Sequence, residues 1–447
     1  MNTDTPRFDD SLDVFLDVIC QTLGEGELKD GTVIRDGIGQ LSFVSANDAP
    51  PNFDLSATEI LMRDRLGAYA RPDSLLSFSD AIFAQHVLQN PDRLIVQGAT
   101  YSCWLLDRRI VGSGWLAKPI SKTPLPPRIV FASLKGGVGR STALAVTAFD
   151  LAARGQNVLV VDLDLEAPGL GELLLPPDRT PEFGVIDYLV ENGLGGIDQS
   201  SLTSFIGTSS LTTGGGGRVD VVPALGRASE RAAQNVLPKL ARALTEDIGS
   251  SGEAISVGQQ VSDMIDRLAA TRGYDLILVD SRAGLAEISA PAVLGLGGLV
   301  LLFGTAQYQT IAGYRSLFAG LKLLATQAVA KGESADWRMM LKPVYAKASL
   351  DPEIAEQHAS DLYDLFAENI YDVNDEDEYA VNFAINDPSA PHAQLVIPFD
   401  PRFADFDPHR TQGHAARAFY EQTFRPFLNE LDTLRSDLFG ARQSERL

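Results

Sequence analysis

The sequence predicts an α/β protein: a doubly wound, mainly parallel sheet, preceded by a small α+β domain. Three observations lead there. After residue 122, short apolar runs bounded by turn residues alternate with helical stretches, the rhythm of strands joined by crossover helices. One of these runs leads through a glycine-rich loop straight into a helix. Before it, "AKPISKTPLPPR" at residues 117–128 holds four prolines. Such a stretch cannot be regular helix, so it reads as a stiff linker and marks a domain boundary.

The bulk properties fit that division. A chain of 447 residues, 45% of them apolar, can form two domains with a sizeable core. A formal net charge of -22 opposes wholesale adsorption to nucleic acid or anionic membrane, while leaving room for a local basic patch. Cys20 and Cys103 stand far apart and form no ligand pair, which suits a reducing compartment. The first residues, "MNTDTPRFDDSLD", are acidic and polar, unlike a signal or transit peptide. The longest apolar run, residues 290–306, is shorter than the roughly 20 residues that span a bilayer. Glycines break it, so it reads as a buried helix end followed by a core strand. The expected protein is cytoplasmic and uses no membrane.

Taken in order, residues 1–122 read as the small module. "DDSLDVFLDVICQTL" carries a helical apolar stripe. "TVIRDGIGQLSFVSA" reads as a hairpin with its turn at Asp36-Gly37. "DLSATEILMRDRLGAYA" is again helical, and "DRLIVQGATYSCWLLDRRIVGSGWL" reads as two or three strands. Tyr101, Trp104 and Trp115 beside Arg108 and Arg109 form either ordinary core and turn or a recognition surface. Beyond the linker the expected strands are "RIVFAS", "NVLVVDLD", "VDVVPA", "YDLILVDS", "GLVLLFGT", "MMLKPVY" and "QLVIPFD". Several are apolar on both faces, as sandwiched parallel strands are. Gly214 to Gly217 form a glycine run that reads as a flexible loop. Residues 351–380 hold eleven acids and no Lys or Arg. They read as a solvated acidic helix and loop, or as a docking surface for a basic partner.

The chemistry concentrates in "FASLKGGVGRSTALA", residues 131–145. Strand, glycine loop and helix follow one another without interruption. Gly136, Gly137 and Gly139 allow unusual dihedrals, so backbone N–H groups can curl around phosphate oxygens. The helix N-terminus adds partial positive charge at the same place. Ser141 supplies a hydroxyl for Mg²⁺, and Thr142 one that reaches an α-phosphate. Gly155 ends the helix. The five histidines, His86, His358, His392, His409 and His414, show no metal-ligand spacing.

"KGGVGRST" resembles the deviant Walker A motif of the ParA/MinD-type ATPases, written KGGxGK[ST], and most closely a subgroup reading KGGVGR. The resemblance implies a P-loop NTPase fold, ATP and Mg²⁺ as ligands, and a homodimer that sandwiches its nucleotides. It implies that Lys135, Gly136, Gly137, Val138, Gly139, Arg140, Ser141 and Thr142 surround the phosphates. Lys135 would reach across the dimer interface, as a catalytic group, to the partner's phosphates. Arg140 stands where the family carries its second lysine, on the β- and γ-phosphates. "NVLVVDLDLEAPGL" resembles the second acidic motif, in which Asp164 positions the attacking water and Asp162 supports the Mg²⁺ site. "YDLILVDSRAGL" resembles Walker B running into switch II, with Asp280 on Mg²⁺ and Gly284 sensing the γ-phosphate. "LVIPFDPRF" resembles the late loop that frames the base, from Pro398 to Asp400. The resemblance covers residues 123–430, leaving a module at 1–122 and a helical tail at 431–447. Two departures stand out. "MMLKPVY" lacks the asparagine that reads adenine, and the gap from Asp164 to Asp280 implies an inserted loop.

Arg140 divides the functional readings. A guanidinium keeps the charge but is larger than an ammonium, which implies binding with slow hydrolysis. The first reading is an ATP-driven, slowly hydrolysing switch. Its N-terminal module, or the acidic stretch 351–380, meets an unknown protein partner, in phage defence or another regulatory system. A non-hydrolysing nucleotide-binding scaffold or sensor and a DNA-partitioning ATPase are the alternatives. Arg282 is a further candidate for sensing or for a partner contact.

Overall fold

The structure is a computed structural model that describes residues 6–212, 216–249, 254–372 and 380–443. The chain divides into two compact units, Met1–Leu116 with Leu323–Glu333, and Ala117–Lys322 with Ser334–Leu447.

In the first unit the apolar stripe becomes α1 (Phe8–Thr22), burying Phe15, Leu16, Val18 and Ile19. One turn, α2 (Glu27–Asp30), precedes the antiparallel hairpin of β1 (Thr32–Arg35) and β2 (Leu41–Val44). The hairpin turn is longer than an Asp-Gly pair. Asp36 Oδ1 accepts from the N–H groups of Ile38 and Gln40, and the left-handed residue is Gly39, at φ 93°. Next comes α3 (Leu55–Leu66), whose start is capped by Asp54 accepting from the Ala57 N–H. β3 (Leu76–Ser77), α4 (Ala84–Leu88), β4 (Leu94–Gln97) and β5 (Ser102–Asp107) complete the unit. Its sheet runs β3-β2-β1-β5-β4, with β1 and β5 parallel. Tyr101, Trp104 and Trp115 are half-buried, and Arg93 stacks on Trp104 at 4.6 Å.

The second unit opens with β6 (Arg128–Ser133), α5 (Arg140–Ala153) and β7 (Asn157–Asp162). α6 (Leu170–Leu174), α7 (Val185–Gly195), β8 (Gly207–Thr208) and β9 (Arg218–Val222) follow. Two short helices, α8 (Arg227–Arg231) and α9 (Val236–Ala243), lead to a small ribbon of β10 (Asp247–Ile248) and β11 (Ala254–Ile255). The crossover pattern then resumes with α10 (Val257–Ala269), β12 (Leu276–Ala283), α11 (Ser289–Leu294) and β13 (Leu299–Gly304). It closes with α12 (Tyr308–Ala330), which belongs to this unit as far as Lys322, then β14 (Leu341–Ala348), α13 (Pro352–Asn369), β15 (Leu395–Pro398) and α14 (Arg417–Gln443).

The main sheet has the order β15-β14-β13-β6-β12-β7-β9-β8. Every pairing is parallel except that of the two-residue β8 with β9. This is the doubly wound sheet that the apolar runs predict, and all seven runs enter it. Every residue of β6 and β13 is buried, which is why these runs lack polar alternation. Phe131 of β6 stacks on Phe303 of β13 at 5.6 Å, and Phe303 meets Phe427 of α14.

Several expectations need comment. The proline-rich stretch is laid along the second unit. The Ile120 N–H donates to Leu294 O at 2.9 Å. A Cβ on Gly297 would come within 2.5 Å of Lys122 O, so glycine is needed for that close approach. Gly214 and Gly215 lie outside the described residues, as do residues 373–379 of the acidic stretch and residues 444–447 of the tail. In the described part of the acidic stretch, Asp351 caps α13 and Asp372 pairs with Arg338 at 2.7 Å. His358 and His392 are buried and bonded to Gln394 and Tyr371. No described helix is long and apolar enough to cross a membrane.

Phe131, in the strand that leads into the glycine loop, has no exposed surface. Phe131→Ala should lower stability by about 3–5 kcal/mol, seen as a lower urea midpoint.

Candidate phosphate-binding site

β6 lies mid-sheet. From it the chain first builds toward β7 and β9, then crosses to β13, β14 and β15 on the other side. The crevice beyond the strand ends at such a reversal is where open α/β sheets take ligands. Register puts Asp280 of β12 level with Phe131 of β6 and with Asp162 of β7. β7 ends at this level, and β6 and β12 run on together to Ser133 and Ala283 before the loop at residues 134–139. Gly137 and Gly139 have φ of 74° and 90°. That left-handed backbone is strained for any residue with a Cβ. It turns the chain sharply enough for α5 to begin at Arg140, its free first-turn N–H groups beside the loop.

Arg140 does not line the cleft described below. Its side chain is 8% exposed and reaches down into the strand ends. Nε lies 2.5 Å from Asp280 Oδ1, Nη2 donates to Asp164 Oδ2 at 3.2 Å, and Nη1 donates to Ser133 Oγ at 3.3 Å. Burial pulls this guanidinium down, but Asp280 and Asp164 outweigh it and leave its pKa raised. The Ser141 hydroxyl donates to Asp280 Oδ2 at 2.6 Å. Burial pushes the Asp280 carboxyl up, against the pull of Arg140 and Ser141.

Asp162 is also buried, and burial first, then the neighbouring Asp280, pushes its carboxyl up. Its oxygens accept from the backbone N–H groups of Asp164 at 3.0 Å and Leu170 at 3.3 Å. It therefore shapes the turn after β7. Asp164 is held from two sides. Arg140 takes Oδ2, and Arg282 Nη1 approaches Oδ1 at 3.4 Å while its Nη2 pairs with Glu166 at 2.8 Å.

Beside this cluster opens a cleft of about 390 Å³. One wall is Gly137, Val138, Gly139 and Thr142; the other is Lys347, Ile397 to Asp400, Phe403 and Ala404, with Thr423 and Phe424 of α14. Pro398 and Asp400 thus face the loop, where the sequence puts the base-framing segment. Asp400 is held well below the usual carboxylate range by Arg402 and then Thr423. Phe399 is 62% exposed on this wall. Lys135 and Gly136 are exposed on the loop, with Lys135 Nζ on Gln309 Oε1. The Gly284 N–H donates to Ser133 O at 2.9 Å. Among the described residues no group of three or more His, Cys, Asp or Glu could hold a metal ion.

Sequence reasoning missed Lys347. It has φ 53°, rare for a non-glycine residue, and sits where the β14–β15 register slips between Ala346 and Ala348. The irregularity turns its side chain across the cleft, and Nζ donates to Gly137 O at 2.7 Å. Two lysines in an apolar strand, Lys342 and Lys347, were the available signal. Thr423 lies far away in sequence and gave none.

A glycine loop between a central strand and a helix, with an aspartate of the adjacent strand bonded to a serine in the helix's first turn, defines a P-loop NTPase fold. Residues 129–344 match the family described as the CobQ/CobB/MinD/ParA nucleotide binding domain. The ParA/MinD resemblance of the motifs is thus supported for this domain; the match does not reach the N-terminal module. The chain is similar to the ParA family ATPase from Chlorobium tepidum TLS, at 17% identity over 68% of this chain and 97% of that one, with a TM-score of 0.43. For the cell division ATPase MinD of Pyrococcus furiosus the values are 20%, 69%, 100% and 0.41. For cobyrinic acid a,c-diamide synthase from Mycobacterium smegmatis, solved with bound ADP and magnesium, they are 18%, 70%, 96% and 0.38. No curated protein matches the chain.

Removing the guanidinium would strand buried carboxylates. Arg140→Ala should cost about 3–5 kcal/mol of stability. Adding Asp280→Asn to it should recover a large part of that loss, measured as a double-mutant cycle in urea.

Proposed function

We propose that residues 123–430 form an ATP-binding switch that hydrolyses ATP slowly, dimerises around its nucleotides and acts on a partner through the module at residues 1–122. The observation that carries this reading is the cleft between the glycine loop and the Pro398–Asp400 wall, lined at the start of α5 by Thr142. In it the loop N–H groups and the start of α5 would bind the phosphates, and Thr142 would contact the α-phosphate. The opposite wall, with Phe399 exposed on it, would take the base.

The residues fit a divalent cation. Asp280 Oδ1 is buried with no aligned hydrogen bond, although Arg140 Nε faces it at 2.5 Å, and Ser141 Oγ touches the other oxygen of the same carboxylate. A hydroxyl and one carboxylate are what Mg²⁺ takes when phosphate oxygens and water complete its shell. When bound, Mg²⁺ would neutralise charge on the transferring phosphate. Asp162 would position the turn that carries Asp164, and Asp164 would orient the attacking water. Lys135, exposed at the loop tip, would reach the partner copy's phosphates, and Gly284 would follow the γ-phosphate.

A second reading, a scaffold that binds nucleotide without turnover, is favoured by the engagement of Asp164 with both Arg140 and Arg282. Phosphate release by the purified protein, lost in Asp164→Ala, supports the switch; release at background level supports the scaffold. DNA partitioning would appear instead as ATP-dependent retention of DNA, against which the net charge of -22 weighs.

Light scattering after sizing should show an ATP-dependent dimer for the wild type and a monomer for Lys135→Ala. A variant that dimerises on ATP as the wild type does would sink the sandwich arrangement. Lys347→Ala should weaken ATP binding by about tenfold, the scale of one lost charged contact, in a titration with a fluorescent ATP analogue.

A further inference from the structure

We propose, on the nucleotide-binding reading above, that Lys347 is the cation with which one copy of the chain holds its own nucleotide's phosphates, the role that the motif assigns to Arg140.

Arg140 directs its guanidinium to Asp280, Asp164 and Ser133 and has no part in the cleft lining. Lys135 stands exposed at the loop tip, also outside that lining. Of the residues that line the cleft, Lys347 alone is a Lys or Arg. Asp400 is the one acid there, and Arg402 and Thr423 take up its carboxylate. Among the described residues Lys347 forms no salt bridge, and its side-chain partner is a carbonyl, Gly137 O. A phosphate arriving against the loop therefore meets a cation that no carboxylate holds.

The backbone is built to deliver that cation. Ala346 pairs with Ile397 and Ala348 with Pro398, so Lys347 is an extra residue between two paired ones. Such a bulge re-aims a side chain. Its φ of 53° is a left-handed conformation, unfavourable for a residue with a Cβ and found mainly where function needs it. The other lysine of β14, Lys342, is engaged at the strand's opposite end, where Nζ donates to Ala390 O at 2.8 Å.

An ammonium has three N–H donors and no acceptor. One reaches Gly137 O at 2.7 Å, leaving two for phosphate oxygens. Bonds from a cation to an anionic oxygen are shorter and stronger than those between neutral groups. A phosphate seated on the loop backbone gains such a bond while the Gly137 contact persists, so one side chain ties loop, phosphate and far wall together. Thr142 lines the same cleft, which puts this contact on the phosphates nearer the base. The γ-phosphate end is left to Mg²⁺ at Ser141 and Asp280.

The test titrates N-methylanthraniloyl-ADP into the full chain in excess Mg²⁺, at low and high salt, for the wild type, Lys347→Gln and Lys347→Asn. ADP carries only the two phosphates that this assignment concerns. Glutamine can still donate to Gly137 O but has no charge, so it separates the phosphate contact from the brace on the loop. Asparagine tolerates left-handed backbone and decides by the same criteria should Lys347→Gln fail to fold. At about 0.05 M NaCl both variants should bind about fivefold or more weakly than the wild type, and the gap should shrink by about 0.5 M, where charged contacts are screened. A gap of less than about fivefold at low salt, or one that salt leaves unchanged, overturns the proposal. Unimpaired variants beside a wild type that binds defeat this assignment alone. Absence of binding by the wild type defeats the nucleotide reading and the assignment with it.

Discussion

Three carboxylates end on neighbouring strands beneath one loop, and each is largely removed from water. Isolated, they would repel one another and take up protons. The surrounding chain is arranged so that they do not stand isolated. Asp162 is turned into backbone N–H groups, and its neighbours receive a guanidinium from the first residue of α5. That delivery sets conditions on everything above it. The helix must start directly over the strand ends, so the loop must reverse tightly. Two left-handed glycines make the reversal.

The cleft lies to one side of this charged cluster and has a different character. Its far wall comes from the ends of β14 and β15 and from a turn of α14, so segments near the end of the chain face a loop near residue 137. The wall is held by its own contacts: Asp400 grips Arg402 and Thr423, and Lys347 bonds back to the loop. Charge handling and shape recognition are thereby assigned to separate sets of side chains. Arg140 serves the first set only.

Most of the sheet was legible because parallel strands buried on both faces leave unbroken apolar runs. The loop was legible because its glycines, hydroxyls and flanking elements have fixed spacing. β8 was not, since two residues, Gly207 and Thr208, carry no periodicity. The hairpin turn runs beyond Asp36-Gly37 because the side chain of Asp36 reaches on to the Gln40 N–H and the left-handed residue is Gly39. The direction of Arg140 could not be read either. Its charge suggested phosphate, but its length lets it reach carboxylates that only the register of β7 and β12 brings together. Lys347 depends on a register slip, and such irregularities follow from pairing geometry that no local pattern encodes.

The ends of the sheet have a consequence for life in a crowded solution. Its flank at β8 is two residues long and antiparallel, and its flank at β15 is four residues long and packed by α14. Open strand edges are templates on which other chains add and aggregates grow. Edges this short give an incoming strand little to pair with. A highly expressed or partly crowded population of this unit should therefore resist cross-β association, leaving faces and side chains to govern how its copies meet.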